Sequence, residues 1–429
     1  MADLSQVEQR MREDWNARAG EDAYYYVAFG RRDQADGEFD DTGIEVVAGL
    51  EWELKRVPSA HPQSRRALEI GCGPGRLMRP MAKHFGEIHG VDVADTMIAR
   101  ARERLAGIRH AHAHVGTGSD LGQFADASFD YVYSYAVFQH IPSRDVVFNY
   151  LKEAVRVLKP GGLVRAQMNG LPPEARVYDT WSGVRITPAE VREFCRGNGL
   201  LLLALEGQHT QYMWTTWQKP GPVESPSLGP VRVRRITNAD STEPVAPARG
   251  RWASISAWIE GLPAMADLLS LDLRIAGLSA TLTYLGRPEA DGLRQLNAIL
   301  PAGLSTGLNP VALFWHGQIL AESRLRIVPT PPPVPRILDA CDGVDLLSGR
   351  RIVSRSIKLF LEECAHPEEL EIRINGEVQP DKDVFCTDPM PPRHEVNFRI
   401  PASVPLGPLT LNLKYHARRF APVQFELLR

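Results

Sequence analysis

The feature that most constrains this chain is the stretch "RALEIGCGPGRLMRPMAKHF", residues 66–85. An apolar run ends at three glycines, Gly71, Gly73 and Gly75, and a pattern with Leu77, Met81 and Phe85 at four-residue spacing follows at once. Glycine accepts the positive φ that a tight strand-to-helix turn requires. The stretch therefore reads as the first strand, turn and helix of a βα unit. Backbone N–H groups at such a helix start attract the anionic part of a nucleotide-like ligand. Taken alone, the glycines fit a plain turn as well as a ligand cradle.

The alternation continues downstream. "IHGVDV" (88–93), "HAHV" (112–115), "FDYVYSYAVF" (129–138) and "LVRAQM" (163–168) read as strands. Asp95 or Thr96 can cap a helix that places Ile98, Ala101 and Leu105 on one face. Ser143 can cap another with Val147, Leu151, Ala154 and Leu158 inward, stopped by "KPGG". "TPAEV" (187–191) is a capping box of Thr187 with Glu190, and Pro188 takes the first helical position. "LLLLALEG" and "QYMWTTW" supply closing strands. This order predicts an α/β fold: a parallel sheet with helices on both faces and a terminal antiparallel strand.

With 429 residues, two or three domains are expected. A formal charge of -3 and a pI near 6.5 give no electrostatic basis for binding nucleic acid or an anionic membrane. No run of about 20 apolar residues is present to span a bilayer. The N-terminal stretch is charged throughout, without the apolar centre of a signal peptide. Five cysteines, odd in number and without CxxC spacing, suit reduced thiols in a cytoplasmic protein.

Beyond residue 217 the texture changes. "QKPGPVESPSLGP" (218–230) reads as a linker, and short alternating runs follow with little helical periodicity. Residues 297–316, "NAILPAGLSTGLNPVALFWH", align with 397–416, "NFRIPASVPLGPLTLNLKYH", at an offset of 100 residues. Upstream, "LRIAG" (273–277) echoes "IRING" (372–376). A repeat of that length with several short strands predicts two immunoglobulin-sized β-sandwiches. "VPTPPPVP" (328–335) lies between them as a stiff linker. The expected domains are residues 1–220, 231–330 and 336–429. Each β unit resembles the IPT/TIG immunoglobulin-like domains, in which an "iPaglxxG" turn precedes the last strands.

The glycine turn departs from the dinucleotide fingerprint G-x-G-x-x-G, because Arg76 stands where the third glycine belongs. "LEIGCGPGR" instead resembles motif I of class I S-adenosylmethionine (SAM)-dependent methyltransferases, of the type 11 and type 25 kind. Asp92 in "GVDV", "VADTMIARAR", "GTGSDLGQF" (116–124), "ASFDYVYSYAVFQHIP" and "EAVRVLKPGGLV" match later motifs in order, so the resemblance covers residues 64–170. The resemblance implies a Rossmann-like domain with SAM as cofactor and S-adenosylhomocysteine as product. It implies that Gly71, Cys72, Gly73, Gly75 and Arg76 approach the amino acid end of SAM. Glu69 would contact the ammonium or hold the turn. Asp92 would hold the ribose, Met97 would pack on the adenine, Asp120 would meet its amino group and Leu121 its ring, and Val93, Ser119, Ser134 and Tyr135 would also contact the cofactor. Cys72 has no base nearby and reads as a turn-filling residue. His110, His112 and His114 alternate on one strand, but no cysteine or carboxylate lies at ligand spacing in sequence, so no metal site is expected.

Methyl transfer is an in-line displacement that chiefly requires alignment and exclusion of water. A hydroxyl acceptor also needs a base. His140, just past the fourth strand, is the candidate; hydrogen bonding that fixes the loop accounts for it equally well. The place where amino-nitrogen methyltransferases carry [D/N]-P-P-[Y/F] reads "SYAV" here, so a small-molecule or glycan- or carrier-linked acceptor is expected over nucleic acid. "DAYYYVAF" (22–29), preceded by Trp15, suggests a helical lid with Tyr25 at the acceptor, and Tyr212 and His209 are further candidates. The β units are expected to serve dimerisation or docking of a protein or glycan. The alternative is a SAM-binding sensor or scaffold with an inactive methyltransferase domain.

Overall fold

A computed structural model describes residues 4–28, 31–57, 61–221, 230–330, 333–388 and 392–428. It divides into two compact units: residues 1–23 with 36–330, and residues 24–35 with 331–429.

The chain opens with α1 (Leu4–Ala28), interrupted by an extended Asp22 and assigned to the first unit only up to Ala23, and continues in the first unit with α2 (Asp36–Leu54). A βα succession follows: β1 (Arg66–Ile70), α3 (Met78–Met81), β2 (Glu87–Asp92), α4 (Asp95–Arg104), β3 (Ala111–Val115) and β4 (Phe129–Ser134). Then come α5 (Arg144–Val157), β5 (Leu158–Met168), α6 (Pro188–Gly197), β6 (Leu201–Glu206) and β7 (Met213–Gln218). The strands lie in the order β3-β2-β1-β4-β5-β7-β6. The first five are mutually parallel, and β7 inserts antiparallel between β5 and β6. Chain order reverses between β1 and β4, so the connections leaving their C-terminal ends run to opposite sides and open the crevice in which such sheets bind ligands.

The Ser143 cap and the Thr187–Glu190 capping box form as the sequence predicts. Three local expectations need correction. Leu77, Met81 and Phe85 are all buried, but the helix that carries them is four residues long and tightens into a 3₁₀ turn, Ala82–His84. Pro80 lacks the N–H that the Arg76 carbonyl would take, which shortens the helix there. Neither Asp95 nor Thr96 caps α4 with its side chain; the Asn16 Oδ1 of α1 accepts from the Thr96 N–H at 2.9 Å instead. "KPGG" does not form a separate turn but a bulge inside β5. The register moves from Phe129 opposite Leu158 to Tyr131 opposite Leu163 across it.

The strands beyond residue 230 continue this unit. They are β8 (Arg232–Asn238), β9 (Val245–Pro247), β10 (Ser254–Glu260), β11 (Leu271–Ile275), β12 (Leu278–Ser279), β13 (Thr281–Leu285), β14 (Leu293–Ile299), β15 (Gly307–Trp315) and β16 (Gln318–Val328). One sheet runs β12-β11-β15-β16-β9; the other, β13-β14-β10-β8, attaches to the α/β sheet through β6 and completes eleven strands. Tyr284 of β13 pairs with Ala204 of β6. The joint is tied further by Leu202 N–H donating to Asp267 Oδ2 at 3.0 Å and Leu268 N–H donating to Leu202 O at 2.9 Å. Trp52 Nε1 donates to Tyr284 Oη at 2.8 Å and Arg56 Nη2 to Leu285 O at 2.6 Å. Of the expected linker, residues 222–229 lie outside the described residues.

The second unit holds two further sheets. One orders Arg336–Asp342, Ser356–Glu362, Arg393–Arg399 and Asp383–Asp388; the other contains Val423–Leu427, Gly407–Tyr415 and Leu370–Ile374. The repeat seen in sequence is a repeat of backbone. Gly307 and Gly407 both have strongly positive φ (114° and 118°), and His316 and His416 both take left-handed turns (46° and 50°). Among the described residues, no helix is long and apolar enough to cross a membrane, and all five cysteines are free.

Candidate functional site

The crevice begins at the glycine turn. Gly71, Gly73 and Gly75 have φ of 71°, 51° and 78°, a region that L side chains rarely adopt. A Cβ at Gly71 would fall 2.3 Å from Val137 Cγ2, so the turn presses directly on the segment after β4. Asp92, at the end of β2, closes the turn from the side. Its Oδ2 accepts from Gly73 N–H and its Oδ1 from Ala94 N–H, both at 2.9 Å. Burial raises its carboxyl above the usual range, while these backbone donors hold it down.

Under the turn lies a buried polar group assembled from three elements. Tyr133 Oη of β4 donates to Glu69 Oε2 of β1 at 2.9 Å. Burial drives the Glu69 carboxyl up to about 8, against the opposing pull of Tyr133 and Arg76. Arg76 is 5 % exposed; its Nη1 reaches Thr42 Oγ1 of α2 at 3.3 Å, and its Nε has no partner. Burial lowers the pKa of this guanidinium as well. Tyr135 stacks on Trp214, with ring centroids 5.4 Å apart, and the Arg76 guanidinium lies 5.5 Å from the Tyr135 ring. Ser134 Oγ donates to Ile70 O at 2.9 Å, which locks the ends of β1 and β4 together. Cys72 is buried, its thiol pushed well up by desolvation, and it fills the space beside Gly90.

These features coincide with a family match. Residues 68–166 match the methyltransferase domain family. They form a methyltransferase domain. The matched segment runs from β1 into β5, so it contains the glycine turn, Asp92 and the loops after β3 and β4. Phosphoethanolamine N-methyltransferase 2 of Caenorhabditis elegans is 35% identical over 153 residues, which covers 35% of this chain and 32% of that protein. Trans-aconitate 2-methyltransferase of Variovorax paradoxus is 32% identical over 139 residues, 32% of this chain and 49% of that one. The chain thus spans between a third and a half of the length of these relatives. Among solved structures, geranyl diphosphate C-methyltransferase of Streptomyces coelicolor shares 15% identity, with a TM-score of 0.37, over 51% of this chain and 98% of that one.

Around the methyltransferase domain's crevice, the remaining predicted residues fall into two groups. Val93, Met97, Ser119, Asp120 and Leu121 gather at the ends of β2 and β3. Met97 and Leu121 are buried, and Val93 packs within 2.8 Å of where a Cβ of Gly118 would stand. Asp120 Oδ1 accepts from Gly122 N–H at 2.9 Å in a turn of its own. Ser119 Oγ donates to Glu8 of α1.

The acceptor candidates separate. His140 is buried and pushed down to about 4 by desolvation, so it is neutral at physiological pH. Its Nδ1–H donates to Trp181 O at 2.8 Å, which leaves Nε2 to accept from Gln139 Nε2 at 3.2 Å. Both ring nitrogens are therefore engaged in holding loops. Tyr212, 41 % exposed, and exposed His209 sit in the turn between β6 and β7. Tyr25 belongs to the second unit, where the Arg32 guanidinium lies 4.0 Å from its ring and the Tyr26 ring 5.3 Å away. Phe29, the end of the aromatic run, lies outside the described residues.

The lid expected from the sequence falls on Tyr25 and its neighbours, at the C-terminal end of α1. What covers the strand ends is the earlier part of α1. Arg12 Nη2 donates to Gly116 O at 3.0 Å, Asn16 accepts from Thr96, Arg100 of α4 donates to Ala19 O at 3.2 Å, and Trp15 meets His140 edge-on at 5.4 Å. Glu8, Arg12, Trp15, Asn16 and Ala19 recur at three- and four-residue steps, a stripe of one helical face. That spacing was available in the sequence, but polar members made it inconspicuous beside three tyrosines.

The histidine strand pairs with a strand that carries a carboxylate. Glu87 and His89 of β2 lie beside it, with His89 Nε2 2.8 Å from Glu87 Oε1 and His89 Nδ1 3.0 Å from His114 Nε2. The carboxylate missing from the local sequence arrives from the neighbouring strand. Burial among Phe124 and Phe129 lowers the pKa of His89.

Proposed function

We propose that this protein is a SAM-dependent methyltransferase acting on a small-molecule or glycan- or carrier-linked acceptor. The single observation that carries the reading is the cradle in the family-matched segment: three left-handed glycines clasped by Asp92, with a buried Arg76 whose Nε lacks a partner. An unpartnered buried guanidinium N–H is costly, and the carboxylate of a SAM amino acid group relieves that cost. Glu69 faces the same place and would take the ammonium. Asp92, already at the strand end, would accept from the ribose hydroxyls. Met97 and Leu121 would offer apolar contact to adenine and Asp120 its amino group.

SAM, when bound, supplies an activated methyl on a sulfonium. The chain's own residues align the acceptor and exclude water, which is the office of the α1 stripe over the strand ends. Because both nitrogens of His140 are engaged, we assign it to loop positioning. The C. elegans and V. paradoxus relatives are named for small substrates, phosphoethanolamine and trans-aconitate, which supports a small acceptor here. The β units, which we read as immunoglobulin-like, would serve as docking modules. Calorimetric titration of the full chain with SAM, S-adenosylhomocysteine and NAD tests the reading. Saturable binding of the first two without NAD supports it, and absence of SAM binding removes it.

A further inference from the structure

The loop after β4 contains a left-handed residue that is not glycine. Ala136, in "SYAV", has φ of 56°, a conformation that is costly for an L side chain. Strain of this kind persists only where the surrounding structure enforces it, and it gathers at functional sites. The enforcing group is Gln167 of β5, 31 positions away, whose Oε1 accepts from the Ala136 N–H at 3.0 Å. The Gln167 side chain is fully buried. Its Nε2 lies 3.0 Å from each of Gln139 Oε1, Met168 O and Gln211 O. These backbone partners fix the orientation of the amide, since its oxygen must meet an N–H and its nitrogen must meet carbonyls. Gln139 Nε2 in turn faces His140 Nε2 at 3.2 Å, and His140 Nδ1 faces Trp181 O at 2.8 Å. One buried amide thus ties the loop after β4 to the end of β5 and to the turn between β6 and β7.

The left-handed turn at Ala136 decides where both its neighbours lie. Tyr135 stacks on Trp214 of β7, with the two rings 6° from parallel. Val137 lies against Gly71, in the space that a Cβ there would need: its Cγ2 and Cγ1 stand 2.3 and 2.6 Å from that position. The glycine turn is therefore braced from two directions. From β2, Val91 O accepts from Gly71 N–H at 2.7 Å and Asp92 holds Gly73. From the β4 side, Val137 presses on Gly71. Ala276 and His316 are also left-handed, but they sit in hairpin turns between paired strands, where such angles are common. Ala136 closes no hairpin; the chain passes from it into the short 3₁₀ turn Phe138–His140, and a side chain from another strand holds the angle. Gln167 could satisfy backbone groups equally well with a relaxed residue at 136, so packing alone leaves the strain unexplained.

We propose that Gln167 is a positioning residue of the methyl-transfer site. It keeps Ala136 left-handed, Ala136 sets Val137 against Gly71, and the glycine turn is thereby held in the shape that takes SAM. Gln167 touches neither cofactor nor acceptor in this scheme; it acts through Val137. Without the Gln167 oxygen, the Ala136 N–H loses its acceptor and the alanine relaxes toward negative φ, which withdraws Val137 from Gly71. The assignment rests on the methyltransferase reading and adds to it a residue just past the family-matched segment, 68–166.

Calorimetric titration of SAM into the full chain, with thermal unfolding of every variant, tests this. Gln167→Met keeps the length of the side chain and removes its hydrogen bonds; it should weaken SAM at least about tenfold, equivalent to about 1.4 kcal/mol. Ala136→Val breaks the same angle from the other end, because a β-branched residue is an outlier at positive φ. It should weaken SAM to a similar degree, and it keeps the test valid if Gln167→Met does not fold. Adding Ala136→Gly to Gln167→Met supplies a residue that takes the left-handed angle without strain, and should restore SAM affinity at least about threefold. Asp267→Ala, at the joint with β6, is the reference for a variant that loses stability alone. A purely structural Gln167 would lower the thermal midpoint as Asp267→Ala does and leave SAM affinity in place. Wild-type SAM affinity in folded Gln167→Met or in Ala136→Val, or no recovery in the double variant, overturns the assignment. Absence of SAM binding by the wild-type chain would instead remove the methyltransferase reading itself.

Discussion

Replacing Glu69 by Gln isolates the most perturbed carboxyl in the crevice. Burial holds it at about 8, far above its ordinary 4.5. The folded chain therefore keeps a proton there at neutral pH that the unfolded chain has released. A raised carboxyl contributes stability below its unfolded pKa and loses it as pH rises through the folded value. The window is thus pH 4.5 to about 8. Within it the wild type should lose about 1.4 kcal/mol per pH unit relative to Glu69→Gln, bounded near 5 kcal/mol over the full interval. Urea denaturation of both proteins from pH 5 to 9 without cofactor reads this directly. The neighbours do not mimic it: Tyr133 and Cys72 are pushed well above the range, and Asp92 remains in both proteins. A SAM ammonium beside Glu69 favours the ionised form, so binding should expel the proton. The ratio of wild-type to Gln affinities should then climb about tenfold per pH unit up to about 8 and level off. Taking the ratio cancels titration of the ligand's own amine. Parallel stability curves together with a flat affinity ratio would refute the assignment of Glu69 as a buried, cofactor-facing acid.

Four further outcomes are expected. Asp92→Ala should weaken SAM by roughly 1.5–3 kcal/mol, the scale of hydrogen bonds to a charged group, measured by calorimetry; unchanged affinity would place the ribose elsewhere. Gly71→Ala should destabilise the fold by at least about 1–2 kcal/mol for the left-handed backbone alone, with the contact on Val137 adding to it, seen as a lowered thermal midpoint. Asp267→Ala strips the acceptor from the Leu202 N–H and should cost about 1–3 kcal/mol, without altering SAM affinity. His140→Asn should retain activity within about tenfold, whereas loss of a general base would cost roughly 10²–10⁴; once an acceptor is known, steady-state rates decide between them.

Much of the α/β half was legible because its signals are local. Thr187 with Glu190, Ser143, and the three glycines each specify a turn or cap within a few residues, and the structure contains all of them. Asp92 was legible for a different reason, since strand ends in such folds face the crevice. What failed was whatever depended on partners distant in sequence. Asn16 caps α4 from 80 positions away, and Glu87 reaches the histidine strand only through parallel pairing. Pro80 was visible, but its effect on a helix that otherwise kept its apolar spacing was missed. The Tyr133–Glu69–Arg76 group draws on β4, β1 and the glycine turn, and nothing in any one segment announces it. The repeat of the β units was readable from paired residues, but the pairing of Tyr284 with Ala204 was not, because a single register contact leaves no periodic trace.

That pairing changes what a shortened version of this protein would be. Leu201, Leu202, Leu203, Ala204 and Leu205 form an apolar strand whose outer side is covered by β13, Asp267 and Leu268. Cutting the chain after the α/β half, at the proline- and serine-rich stretch where sequence invites a cut, would uncover that strand. Open edges of this kind recruit other strands. A fragment ending near residue 220 is therefore expected to precipitate or pair with itself under conditions in which residues 1–330 stay dispersed. In such a fragment, poor behaviour would say nothing about the catalytic half and everything about its missing neighbour.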